Sequence, residues 1–215
     1  MTIENFLLDG PAGRIECLLK LPEPGQGPPR AAAVVCHPHP LFGGSLHNKV
    51  VHAAAGALVR AGIPALRFNF RGVGLSGGKH DGGRGEQRDL AAVVDHLVSR
   101  FPGASPLVVG YSFGSAVGLR VGCVDPRVDG LIAIGVPVTL YDLSFLSDCR
   151  KPLVIIQAER DQFGALPLVM ALAATIPGGA RVLPVAGAAH NFAGHMDELA
   201  RRLDQAISEV VGDRG

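Results

Sequence analysis

Tryptophan is absent from this 215-residue chain, which also has only two tyrosines and three methionines. Blocks of like charge are absent too, because 20 lysines and arginines are scattered against 19 aspartates and glutamates, for a formal charge of +1. This balance excludes nucleic acid and an anionic membrane surface as expected partners. No apolar run approaches the length that crosses a bilayer, and residues 1–10 lack the pattern of a signal peptide, so we expect a cytoplasmic protein.

The four cysteines carry no metal or redox motif. Cys17, Cys36, Cys123 and Cys149 are widely spaced, without a C-x-x-C pair. This spacing indicates neither a zinc site nor a redox dithiol. An even number permits disulfides, but in a chain of this size without an export signal we expect buried free thiols.

The overall composition is typical of a globular protein, with 47% hydrophobic and 18% charged residues. At this length we predict one domain over residues 1–215, with one active site. A monomer and a homodimer are both compatible with the sequence.

Short apolar runs alternate with segments of helical periodicity along the chain. The first two runs bracket a turn and predict a hairpin at a sheet edge. The later alternation predicts an α/β fold, a doubly wound and mostly parallel sheet with helices on both faces, whose ligands bind at the carboxyl ends of the strands. The predicted strands are residues 3–8, 14–21, 31–36, 65–70, 106–110, 131–134, 153–157 and 181–185, and the predicted helices are residues 47–61, 85–100, 113–122, 166–175 and 195–211.

A G-x-S-x-G motif lies directly between a predicted strand and a predicted helix. Ser112 is its central residue, with Gly110 and Gly114 two positions to either side. A sharp strand-to-helix turn forces its central residue into a strained conformation and needs small neighbours at these two positions. The motif therefore predicts Ser112 as a nucleophile, and Ser115, inside the helix, as a packing residue.

Two later loops supply the groups that activate a serine. A serine hydroxyl needs a histidine to take its proton, and the histidine needs a carboxylate to hold its tautomer. Asp161 follows the strand at 153–157 and His190 follows the strand at 181–185. The order Ser112, Asp161, His190 is the one that a G-x-S-x-G turn of this kind uses.

Other assignments compete with these. Glu159 lies on the same loop as Asp161, and Asp142 follows the preceding strand; we favour Asp161 because it stands at the loop tip, before a helix. Three further histidines lie in or at the start of predicted helices and are less suitable bases, namely His52, His96 and His195.

These matches resemble the α/β-hydrolase superfamily, specifically its small lidless members related to dienelactone hydrolases and bacterial carboxylesterases. The resemblance extends from residue 31 onwards, through the loop after 36, the segment 69–78, the turn at Ser112 and the loops of Asp161 and His190. Dienelactone hydrolases use a cysteine where this chain has Ser112. The resemblance therefore implies a serine esterase that needs no cofactor.

The loop after residue 36 stands where family members place an oxyanion donor. Pro38 and Pro40 have no amide hydrogen, so we predict the amides of Phe113 and His39 as donors, with Leu41 in reserve. His37 and His39 form an H-x-H pair, but no further metal-ligand motif follows, so we predict no metal site and a bracing role for His37.

The segment 72–77 matches the dinucleotide pattern G-x-G-x-x-G. That pattern functions only when a helix begins at once, and the glycine-rich residues 78–83 prevent this. In related hydrolases Arg71, Gly72, Gly74 and Ser76 resemble a structural loop beside the active site, and we assign them that role.

The expected reaction is hydrolysis of a small-molecule carboxylic ester through an acyl-enzyme. Too few residues separate the strands at 131–134 and 153–157 for a large cap, which favours an open site and short acyl groups. Thioester or lactone hydrolysis uses the same groups and stays an alternative, as does a non-catalytic binding protein of this fold. The expected pocket residues are Leu41, Phe42, Val136, Pro137 and Phe163.

Overall fold

A computed structural model of the protein describes residues 2–25 and 27–212. Eight strands in these residues form one sheet. In chain order they are β1 Thr2–Gly10, β2 Gly13–Leu21, β3 Ala31–Cys36, β4 Ala65–Phe68, β5 Ser105–Tyr111, β6 Gly130–Ile134, β7 Leu153–Ala158 and β8 Arg181–Val185.

The strands lie in the order β1-β2-β4-β3-β5-β6-β7-β8. The opening hairpin β1-β2 is antiparallel, and β2 joins β4 in antiparallel register. Every later pairing is parallel. The doubly wound, mostly parallel sheet that the sequence predicts is therefore confirmed, and β3, β5, β6 and β7 direct their carboxyl ends to one edge.

The described residues contain five α-helices, and three of them begin with a clear capping or charge signal. They are α1 Lys49–Arg60, α2 Arg84–Arg100, α3 Phe113–Gly122, α4 Leu166–Ala174 and α5 Met196–Val211. The Asn48 side chain accepts the amide hydrogen of Val50 at the start of α1. Glu86 accepts that of Gly83 at the start of α2, and two acidic residues occupy the first turn of α5.

The central strands are buried on both faces. In β3, Val34 packs on the side of α2, α3 and α4, whereas its neighbour Val35 packs on the side of α1 and α5. Val108 and Val109 of β5 alternate in the same way. This two-sided burial explains why the sequence of these strands is continuously apolar rather than alternating.

The clearest boundary difference is in β4, which ends at Phe68 rather than at residue 70. Beyond that point the backbone leaves the sheet and bonds to side chains. The Asn69 side chain accepts the amide hydrogen of Leu46 and donates to Glu16. The amide of Phe70 donates to Nε2 of His37. These contacts secure the loop that follows β4.

The expectation of four free thiols is wrong for one pair. Cys123 and Cys149 form a disulfide, with their Cα atoms 5.1 Å apart. The bond joins the C-cap of α3 to the residue that ends a 3-10 helix at Ser144–Asp148. Packing of β6 beside β5 brings these positions together, and their spacing in the sequence gives no sign of it. Cys17 and Cys36 are free and buried, and burial raises the pKa of Cys17 to about 12.

The segment at 72–77 opens no helix, because α2 begins only at Arg84. Its Ser76 hydroxyl donates to the carbonyl of Asn69 and accepts the amide hydrogen of Glu16. Arg71, just before it, makes a buried ion pair with Asp89 at 2.8 Å. The segment is a cross-linked loop between β4 and α2.

Across residues 2–25 and 27–212, none of the helices has both the length and the apolar character that crossing a bilayer requires.

Candidate active site

Ser112 occupies the sharp turn between β5 and α3. Its φ of 55° and ψ of −122° lie in a strained region for a residue with a side chain. A Cβ on Gly110 would lie 2.3 Å from the carbonyl oxygen of Gly114, and one on Gly114 would lie 2.5 Å from that of Cys36. Both glycines are therefore required by the close approach of the backbone, which holds Ser112 at the edge of the sheet.

His190 reaches this turn from the loop after β8. Its Nε2 atom lies 2.9 Å from Oγ of Ser112, and its Nδ1 atom lies 2.7 Å from Oδ2 of Asp161. The Tyr111 hydroxyl donates to the backbone carbonyl of His190, and the ring of Phe163 meets the imidazole edge-on at 4.9 Å. Burial raises the pKa of Tyr111, so this hydroxyl stays a donor.

Asp161 is 3% exposed and its carboxylate is fully partnered. Besides His190, it accepts hydrogen bonds from the Gln157 side chain at 3.0 Å and from the amide of Phe163 at 2.9 Å. Gln157 is itself buried, and its amide group also bonds to the backbones of Val136 and Gly164. These bonds compensate the cost of burying a carboxylate and fix its direction.

This arrangement determines which imidazole nitrogen can act as a base. Nδ1–H of His190 donates a hydrogen bond to the carboxylate of Asp161, so in the neutral ring the lone pair lies on Nε2. The Ser112 hydroxyl then donates to Nε2. A hydroxyl held in this way can lose its proton to the imidazole as it attacks an electrophile.

Neither competing acid contacts His190. The Glu159 carboxylate accepts the amide hydrogen of Gly187, and the Asp142 carboxylate accepts that of Ser144. Ser115 bonds its hydroxyl to the carbonyl of Ser112 at 2.6 Å, which supports the turn from within α3. The structure thus brings Ser112, His190 and Asp161 together and leaves the other candidates outside.

The two amides predicted as oxyanion donors are free of intramolecular acceptors. Within residues 2–25 and 27–212, no acceptor receives the amide hydrogen of Phe113 or His39. The amide of Leu41, by contrast, donates to Nδ1 of His39 at 3.2 Å. The rings of His39 and Phe113 are 5.0 Å apart, so the two donor segments pack against each other.

His37 supports this loop from below. Its Nδ1 atom donates to the carbonyl of Pro38 at 2.6 Å, and its Nε2 atom accepts from Phe70. Because the ring is completely buried, its pKa falls to about 4. Among the described residues, no cluster of three or more histidine, cysteine or acidic side chains has the geometry to hold a metal ion.

Sequence reasoning missed a second histidine and carboxylate pair beside the loop of His39. Nδ1 of His80 lies 2.8 Å from Oε1 of Glu86, which is fully buried and accepts the amide hydrogens of Asp81 and Gly83. The rings of His80 and His39 are 4.7 Å apart. An acidic residue three positions after a glycine, at the start of a helix, is the signal that could have identified Glu86 as a cap.

The predicted pocket residues divide into two groups. Leu41 and Phe42, in a short 3-10 helix at Pro40–Phe42, are 69% and 86% exposed, and Phe163 is half-buried. The prediction for Val136 and Pro137 needs correction: Val136 has no exposed surface and packs in the core, and Pro137 is buried. The turn after β6 folds inwards, which leaves neither side chain at an open pocket.

Comparison with known proteins identifies the class. The model of an α/β-hydrolase domain family matches residues 32–213, so the chain belongs to the α/β-hydrolase family. It is similar to an α/β serine hydrolase homologue from Coxiella burnetii, at 35% identity over 95% of this chain and 97% of that one, with a TM-score of 0.88.

Two further relatives make the comparison more specific. A Xanthomonas campestris α/β serine hydrolase without a lid is 34% identical, over 96% of this chain and 94% of that one, with a TM-score of 0.88. An uncharacterised protein of Rickettsia prowazekii (strain Madrid E) is 41% identical over 73% of this chain. That match spans 66% of the Rickettsia protein, just under two thirds of its length. The expected likeness to lidless α/β-hydrolases is confirmed.

Proposed function

We propose that the protein is a serine esterase that hydrolyses small carboxylic esters with Ser112, His190 and Asp161 as its catalytic triad. The single observation that carries this proposal is the continuous chain of contacts from Asp161 through His190 to Ser112, at 2.7 Å and 2.9 Å. The position of Ser112 on a strained turn of an α/β-hydrolase fold gives the proposal further support.

The proposed reaction has two steps. Oγ of Ser112 attacks the carbonyl carbon while its proton passes to Nε2 of His190, and the imidazolium then gives that proton to the departing alcohol. Water attacks the acyl-enzyme with His190 again as base, and the acid is released. Asp161 holds the imidazole and balances its transient charge.

We assign the amides of Phe113 and His39 to the oxyanion of the tetrahedral intermediate. Both are unsatisfied within the described residues, and the first belongs to the first residue of α3, where the helix dipole favours negative charge. One such donor contributes about 3 to 4 kcal/mol to transition-state stabilisation.

The preference for small acyl groups rests on what covers the site. Between β6 and β7 the chain forms only a short loop and the 3-10 helix Ser144–Asp148, without a cap. Leu41 and Phe42 are exposed on the loop of His39 and offer a shallow apolar surface. A long acyl chain would stay largely in water, so its extra methylene groups would add little affinity.

A chain-length series of p-nitrophenyl esters tests the proposal. We expect kcat/KM to be highest for acetate to butyrate, and Ser112→Ala to lower kcat by at least about 10⁴-fold. Ser99→Ala, which changes an exposed serine in α2, is the matched control and should keep wild-type activity. Faster cleavage of long-chain esters, thioesters or lactones would overturn the substrate assignment, and activity that survives Ser112→Ala would overturn the nucleophile.

A further inference from the structure

A groove of about 360 Å³ lies beside the nucleophile turn, between the start of α2, one face of α3 and the loop after β6. The α3 side is a helical stripe of Phe113, Ala116, Val117 and Arg120. The stripe begins at the residue after Ser112, and the amide of Ala116 donates to the Ser112 carbonyl. A ligand in this groove would therefore extend along α3 away from the reacting serine.

Two guanidinium groups line the groove, Arg84 from α2 and Arg120 from α3. Arg84 is exposed, and its side chain meets no hydrogen-bond acceptor or carboxylate among residues 2–25 and 27–212. Arg120 is held in place, because it stacks on Phe145 at 4.2 Å and donates through Nη2 to the carbonyl of Asp142. Its remaining N–H groups stay available to a ligand.

One carboxylate also lines the groove. Oδ1 of Asp142 accepts the amide hydrogen of Ser144 at 2.9 Å, which turns this carboxylate towards its own loop. Glu86, beneath the groove, is fully buried and bonded to backbone amides. Two cations against one carboxylate leave the lining with a net positive charge. The α3 side of the groove is only partly apolar, because Phe113, Ala116 and Val117 are themselves largely buried.

We propose that this groove binds a carboxylate carried by the ester substrate, so that the preferred substrates are half-esters of short dicarboxylic acids or esters of small acidic alcohols. The inference rests on the proposed function. A groove of mixed polarity with two guanidinium groups in its lining fits a short chain that ends in a carboxylate. Residues 112 and 120 are separated by about 12 Å along the helix, and an arginine side chain leans back towards the helix start, so two to four methylene groups suffice.

The test compares p-nitrophenyl hemiglutarate with its methyl-capped neutral analogue. We expect the wild-type protein to favour the anionic ester in kcat/KM, and Arg84→Gln to lower the ratio of the two values about tenfold, chiefly through KM. Added salt should weaken the preference. A parallel pair, 4-carboxyphenyl butyrate and phenyl butyrate, separates a carboxylate on the acyl side from one on the alcohol side.

Arg88→Gln is the matched control, because Arg88 is an exposed arginine of α2 that does not line the groove. At the second arginine of the groove we use Arg120→Lys, which keeps the positive charge, because removing that charge could prevent folding. The proposal is overturned if the wild-type ratio is one or lower for both pairs, if Arg84→Gln leaves the ratio unchanged, or if Arg88→Gln lowers it as much.

A binding measurement separates this inference from the proposed function. Calorimetric titration of Ser112→Ala with glutarate needs no turnover, and we expect binding that Arg84→Gln weakens about tenfold. If neither ester is hydrolysed but glutarate binds and Arg84→Gln weakens that binding, the esterase proposal fails and the proposal of a carboxylate-binding groove is supported. If glutarate does not bind and the ester ratio is unaffected, the groove fails alone.

Discussion

Two histidines in this molecule lie against buried carboxylates, and only one of them meets a hydroxyl. Nδ1 of His190 is 2.7 Å from Asp161, and Nδ1 of His80 is 2.8 Å from Glu86. Both carboxylates have no exposed surface on their side chains. The pairs differ on both sides of the ring. Nδ1 of His190 makes a hydrogen bond to Asp161 and Nε2 faces Ser112, whereas Nδ1 of His80, although close to Glu86, has no hydrogen-bond partner among the described residues, and its ring packs against His39 and Phe113.

A histidine–carboxylate pair can therefore act as a base only when a third group, such as the Ser112 hydroxyl, lies at the other ring nitrogen. Glu86 already bonds to two backbone amides at the start of α2, so its principal role is to begin that helix. Asp161 receives its bonds from Gln157 and Phe163, which direct it at His190. We therefore expect substitutions in the two pairs to act on different quantities.

The largest contrast is expected between the two histidines. His190→Ala should lower kcat for p-nitrophenyl acetate by about 10⁶-fold, because the serine loses its base. His80→Ala should lower kcat by less than about tenfold, since this ring only packs against the rings of His39 and Phe113. Steady-state kinetics with both variants gives the comparison, and equal losses would contradict the separate roles.

The two carboxylates should differ next. Asp161→Asn retains the shape of the side chain but favours the wrong imidazole tautomer, so kcat should fall about 10⁴-fold. Glu86→Gln should leave kcat within about tenfold and lower the free energy of unfolding by about 1 to 3 kcal/mol, because one buried bond at the helix start is lost. Kinetics and urea unfolding of the same preparations measure both, and a reversal of the two patterns would refute the assignment.

The disulfide, which lies away from both histidine–carboxylate pairs, should affect the stability of the protein but not its activity. Cys123 and Cys149 join the far end of α3 to the loop after β6, with a sequence separation of 26. Replacing both with serine should lower the free energy of unfolding by about 3 to 4 kcal/mol through loop entropy. The kcat of the folded variant should stay close to wild type. Denaturant unfolding with and without a dithiol reductant checks the first value, and an unchanged midpoint would count against the bond.

A third histidine, His37, affects only the pH dependence of stability, because its hydrogen bonds in the described residues go to backbone atoms. Burial lowers the pKa of His37 to about 4, below the ordinary value of 6.5. Between these two pH values the imidazole is protonated in the unfolded chain and neutral in the folded protein. Stability present above pH 6.5 should therefore decline as the pH falls towards 4, by about 3 kcal/mol from this residue. His37→Gln should flatten this decline in a pH series of urea midpoints. An identical decline in the variant would show that other groups cause it.

The sequence predicted the parts of the site that follow directly from strand ends. Ser112, Asp161 and His190 each stand just after a strand of a parallel sheet, and such positions meet at one edge whatever the details of the loops. The pairing of Cys123 with Cys149 depends on packing between segments 26 residues apart, and the contact of His80 with Glu86 depends on how the glycine-rich loop before α2 turns back on the start of that helix. Periodicity carries no information about these contacts.

The pocket illustrates the same limit. Phe42 and Val136 were both expected to line the pocket; Phe42 is exposed, whereas Val136 lies in the core. Phe42 and Val136 each follow a strand in the sequence. Their different exposure arises because the turn after β6 folds inwards. The amide of Val136 donates to the Gln157 side chain in β7, a contact between a loop and a neighbouring strand that composition does not reveal.

The central claim is that Ser112 is a nucleophile activated by His190. Labelling with a fluorophosphonate, followed by mass spectrometry of the digested protein, tests it most directly. The account predicts one adduct, on the peptide that contains Ser112, with a rate that falls by several orders of magnitude in His190→Gln. An adduct on another residue, or an unchanged rate in that variant, would contradict it.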